Sequence, residues 1–108
     1  MTVINQNFSI TTGDSKTVIF AITDENGSPL SLLGSTAKWK MISKPANVSK
    51  DSTSGIVLSG SDFKLSLTPA DTQSLVEGVF KHEGEITDSS GNVSTVFSGF
   101  VTITEGIV

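Results

Sequence analysis

The stretch Val93-Ser94-Thr95-Val96-Phe97-Ser98-Gly99-Phe100-Val101-Thr102-Ile103-Thr104 reads as the longest strand in the chain. One parity carries Val93, Thr95, Phe97, Gly99, Val101 and Ile103, and the other carries Ser94, Val96, Ser98, Phe100, Thr102 and Thr104. Hydrophobic and hydroxyl-bearing residues in this order suit a pleated, half-buried surface. At about 3.4 Å per residue the segment would reach some 40 Å, so Gly99 is expected to mark a bulge or bend. Large apolar groups stand on both parities, with Phe97, Val101 and Ile103 on one and Val96 and Phe100 on the other. A sheet with one face in water alternates more cleanly. One of these faces therefore needs a cover.

The same grammar extends back along the chain. Val79 to Thr87 sets Phe80, His82, Gly84 and Ile86 on one parity and the solvated Val79, Lys81, Glu83 and Glu85 on the other. Asp88-Ser89-Ser90-Gly91-Asn92 turns this segment into the long one. Phe63, Leu65 and Leu67 alternate with Lys64 and Ser66, and Gly55 to Leu58 is a shorter β segment. Thr36 to Ile42 points Ala37, Trp39 and Met41 inward and Lys38 and Lys40 outward. Lys16 to Thr23 is apolar on both faces, with Val18, Phe20 and Ile22 on one and Ile19 and Ala21 on the other. Phe8 to Thr12 alternates briefly before Gly13-Asp14 breaks it. Asp24 to Pro29 is a turn, and Leu30 to Ser35 is an irregular connection pinned by Leu30 and Leu33. Pro45 to Ser54 has no periodicity and reads as a mobile surface loop. Thr68-Pro69-Ala70-Asp71 is the one helix start, with Thr68 as cap, Pro69 at the first helical position and Leu75 as anchor.

Composition agrees with this pattern. Val, Ile and Thr total 32 residues, whereas there are seven Leu, two Met and no Arg. The 17 Ser and 13 Thr outnumber all charged residues, so solubility rests on hydroxyls more than on charge. The 108 residues suit a single domain, 1–108. About seven strands, with frequent turns and one short helix, predict an all-β fold, an immunoglobulin-like β-sandwich. The buried Trp and paired Cys of antibody domains are missing as a pattern, and a small closed barrel is the other architecture open.

The net charge of −4 and the absence of Arg argue against nucleic-acid binding, which draws on clustered basic groups. The same acidity disfavours anionic membranes, and no apolar run approaches the roughly 17–25 residues of a spanning helix. Met1 to Phe8 lacks the pattern of a signal peptide. With no cysteine, disulfides and thiolate metal sites are excluded.

The residues that could carry chemistry each have a plainer reading. His82 is the one histidine, and no Gly-x-Ser-x-Gly elbow accompanies it, so it is expected to be a surface or partly buried strand histidine. Glu83 and Glu85 share a face without an aromatic platform for a sugar and read as solvated. Asp24, Asn26 and Ser28 imitate the opening of a calcium loop, but Ser35 stands where its bidentate acid belongs. The Asn-x-Ser triplets at Asn7, Asn26, Asn47 and Asn92 read as chance matches in a Ser-rich chain. Trp39 is in phase with Ala37 and Met41 and reads as core. No catalytic, cofactor or metal site is expected, and the chain reads as a non-enzyme.

Several segments, in order, resemble the immunoglobulin-like N-terminal domain of baseplate upper proteins and related small structural proteins of tailed bacteriophages. They are Phe8 to Thr17 with Gly13-Asp14-Ser15, then Asp24 to Leu30, and Gly34-Ser35-Thr36-Ala37 leading to Trp39. Leu67 to Thr72 with Leu75, Gly78, Val79 and Phe80 follows, then Ile86 to Gly91 and Ser98 to Ile103. The resemblance implies a structural component of the virion, in tail, baseplate, neck or head decoration, assembled in the host cytoplasm. Its implied partners are copies of itself and other virion proteins, with no nucleic acid and no membrane. Residues 1–108 do not include the long C-terminal extension that such domains carry in baseplate proteins, so a general virion role, rather than specifically a baseplate one, is the expectation. A carbohydrate-binding or adhesin-type module is the alternative. The two-faced segments supply the expected contact surface: Val18, Phe20, Ile22, Val96 and Phe100.

Overall fold

The computed structural model describes residues 4–107. Among the described residues, nine strands and one helical turn follow in order: β1 Ile4–Asn5, β2 Phe8–Thr11, β3 Lys16–Ala21, β4 Thr36–Met41, β5 Val48–Asp51, β6 Ile56–Ser59, β7 Asp62–Leu67, α1 Pro69–Thr72, β8 Gly78–Thr87 and β9 Val93–Thr104. They form a sandwich of two sheets. The larger has the order β1-β9-β8-β4-β5, with β2 also on β9, and the smaller is β3-β7-β6. β1 and β2 run parallel to β9, and every other pairing is antiparallel.

The inward parities read from the sequence build the core between the sheets. Ala37, Trp39 and Met41 of β4 meet Phe63, Leu65 and Leu67 of β7 in one cluster, with Phe97, Val101 and Ile103 of β9. At its centre Phe20 stacks on Phe97 at 4.0 Å between ring centroids, and Phe63 meets Phe97 edge-on at 4.9 Å. Such pairs contribute about 0.5–1.5 kcal/mol beyond the area they bury.

The long strand is irregular, but not at Gly99. Gly84 pairs with Phe97 and Glu85 with Thr95, so Val96 is the extra residue of a β-bulge. The bulge turns Val96 and Phe97 into the core together. Part of the apolar pattern on both parities is therefore a shift of phase within one buried face. Gly99 has another reason to be glycine: a side chain there would collide with the Gln6 carbonyl, where the chain crosses β9 between β1 and β2.

Two further expectations change. Leu30 packs against the core as expected, but the second pin of the irregular connection is Leu32, only 3% exposed, and not Leu33, which is 91% exposed; the segment is not a strand, so period-two counting had no hold on it. The expected loop at Pro45 to Ser54 contains β5, which pairs with β4 from Met41↔Val48 to Lys38↔Asp51. This edge strand buries little, which explains its lack of hydrophobic alternation. The helix start is as read, with a capping box in which Thr68 and Asp71 bond reciprocally. It is a single turn, held by the buried Thr72 hydroxyl, which accepts from Gly13 N–H at 3.0 Å and donates to the Asp14 carbonyl at 2.9 Å. Leu75 packs against the core as a half-buried side chain.

Candidate interaction surface

Of the five residues expected to form a contact surface, Phe20, Ile22 and Val96 are buried inside the sandwich and have no face to offer a partner. The reason for Val96 is the bulge. For β3 it is parity, since the residues in phase with Phe20 face the other sheet. Val18 is half-buried against the same core. Phe100 alone is outward, 49% exposed on the larger sheet.

Phe100 stands directly across from Lys81. Val79, 62% exposed, precedes Lys81 on the same face of β8, and Ile42, 54% exposed, is tied alongside by its N–H to the Lys81 carbonyl at 2.9 Å. Phe100 N–H donates to Asn7 Oδ1 at 2.9 Å, which fixes the rim. Phe100, Val79 and Ile42 thus occupy the positions neighbouring Lys81 on this face. Farther along the same face the register sets Lys40 opposite Glu83 and Lys38 opposite Glu85. Opposite charges directly across strands favour the pairing by roughly 0.2–1 kcal/mol each. A shallow cleft of about 460 Å³ lies at this charged end, lined by Lys38, Lys40, Lys50, Asp51, Glu83 and Glu85. The outer face is therefore apolar at one end and charge-balanced at the other. Val79 and Ile42 belong to this surface but not to the expected one. Their outward parity was readable, yet their proximity comes from pairing of β4, β8 and β9.

The residues weighed for chemistry are in structural positions. His82 is enclosed, with Trp39 Nε1–H donating to Nδ1 at 3.0 Å and Nε2 against the Gln6 carbonyl at 2.5 Å. Asp24 Oδ1 accepts the Asn26 and Ser28 N–H groups at 2.9 and 3.0 Å. Asp88 does the same for Ser90 and Asn92, and the Asn92 backbone bond is the main cause holding its carboxyl below the usual range. Among the described residues, no cluster of three or more His, Asp or Glu side chains is placed to hold a metal ion.

The chain matches no family model, and no curated protein matches it in sequence.

Proposed function

We propose that the protein is a non-enzymatic structural component of a tailed-phage virion, acting through protein–protein contacts, and that its sandwich is immunoglobulin-like. The observation that carries the contact role is the patch of Phe100, Val79 and Ile42 on the outer face of the larger sheet. An exposed aromatic side chain within an apolar patch bordered by polar groups fits the apolar centre and polar rim of protein contacts. The order β3-β7-β6 facing β9-β8-β4-β5 supports the immunoglobulin-like reading, as it follows the B-E-D and G-F-C-C′ arrangement. Trp39 on β4 takes the position of that fold's core tryptophan, with Phe20 and His82 in place of a disulfide. The phage assignment itself rests on the ordered sequence segments from Phe8 to Ile103.

The alternative module for carbohydrate would use Phe100 as its stacking platform, because Trp39 is enclosed. Mass spectrometry of purified particles tests the assignment. The chain is expected in the particles, and Phe100→Asp, still folded by circular dichroism, is expected to be lost from them. Particles without the chain, or with the variant at wild-type level, would contradict the proposal. Glycan binding that Phe100→Asp abolishes would favour the alternative.

A further inference from the structure

Among the described residues, β3 ends its sheet, paired with β7 alone. Just beyond it, Ile22 N–H donates to the Ser61 carbonyl at 2.9 Å, so in this register the even-numbered residues turn their backbone groups toward β7. Thr17, Ile19 and Ala21 turn theirs outward, and among the described residues nothing bonds to them on that side. All three side chains are exposed, Ile19 by 59%. The devices that usually blunt a free edge are missing from β3: it has no proline, no bulge, and a single charge at Lys16. Other outer strands of the sandwich are shorter. β6, β5 and β2 have four residues each against six in β3, and the exposed end of β5 is closed by the Asp51–Ser54 turn.

We infer that this edge pairs with the β3 edge of a second copy of the chain, antiparallel, about a two-fold axis through Ile19. The register is self-complementary. With Ile19 opposite Ile19, Thr17 falls opposite Ala21 and Ala21 opposite Thr17, and these are the pairs whose backbone groups point outward, alternating with non-bonded pairs of even-numbered residues. Each outward pair then exchanges both N–H···O bonds. The charges agree as well, since Lys16 falls opposite the other copy's Ile22 and diagonal to its Asp24, within reach of a lysine stem. The two small sheets become one continuous sheet. A strand pair is a small interface, so the contact is weak and draws on high local concentration. The inference stands on the geometry of β3 and does not depend on the virion reading.

Sedimentation velocity over a concentration series reaching the millimolar range tests it, with amide exchange read in parallel. Self-association is expected, with the Thr17, Ile19 and Ala21 amides gaining protection as concentration rises. Ile19 lies outside the core, so Ile19→Lys and Ile19→Glu should both fold. Each alone is expected to weaken association at least about tenfold, equivalent to ~1.4 kcal/mol. Their equimolar mixture is expected to restore it, because residue 19 faces its own copy. A chain monomeric throughout, a mixture that fails to recover, or association without protection of these amides would overturn the inference.

Discussion

At the scale of single residues, His82 is the most informative. Trp39 Nε1–H can only donate, so Nδ1 must accept and the imidazole proton sits on Nε2, facing the Gln6 carbonyl. The ring is otherwise walled by Phe8, Phe20 and Phe97, with centroids at 5.1, 6.0 and 5.6 Å. Burial pushes the histidine below its ordinary 6.5, and the bond to Gln6 only partly offsets this. Protonation would also set a second N–H against that of Trp39. The folded state therefore holds the neutral ring, while the unfolded chain takes up a proton near pH 6.5. Stability is complete above that pH and falls as the pH drops from there toward the lower folded value. Thermal unfolding at a series of pH values should show this slope, and His82→Leu should flatten it. That variant should also lose about 2–4 kcal/mol in urea titration, since it strands the Trp39 N–H and the Gln6 carbonyl. That His82 shares a parity with Phe80 and Ile86 was legible, but a surface or partly buried histidine was expected and the ring is fully buried, 2% exposed. Its partners were not legible, because Trp39 lies 43 residues away and Gln6 76.

At the scale of elements, sequence and structure agree where alternation meets a sharp hydrophobic boundary and part where it does not. β4 and β7 have clean alternation and were readable residue by residue, as was the capping signal of α1. β5 was not, because its strand character comes from backbone bonds to β4. Its other anchor is the ion pair between Lys50 Nζ and Asp71 Oδ2 at 2.8 Å, which ties it to α1. Burial tends to raise the Asp71 carboxyl, but the Lys50 ammonium and the Thr68 bonds outweigh it and the net direction is down. Asp71→Ala removes the capping box and this tie together. It should cost about 1–2 kcal/mol in denaturant titration and speed amide exchange in β5. The bulge in β9 was likewise hidden, because Val96 beside Phe97 looks the same in sequence whether two faces are apolar or one face shifts phase. Its partner strand shows the requirement, since a methyl group at Gly84 would run into the Phe97 ring. Gly84→Ala should therefore destabilise by about 1–3 kcal/mol through overpacking, as read by the urea midpoint.

At the scale of the whole molecule, the extents of 44 × 25 × 19 Å describe an elongated sandwich with two broad outer faces. The smaller sheet presents a row of Ile19, Lys64 and Val57, and the larger presents the patch around Phe100. Apolar residues on both parities led to the expectation of an outward contact surface, but the bulge accounts for part of that pattern. Which side chains face outward depended on the bulge and on the register of three strands, and of the expected set only Phe100 is fully outward. Hydroxyl-radical footprinting tests the contact role most directly, comparing free chain with assembled particles and taking the buried Phe63 as internal reference. Oxidation of Phe100 is expected to fall severalfold on assembly while Phe63 stays protected in both states. Equal oxidation of Phe100 in the free and assembled protein would contradict a contact role for this face.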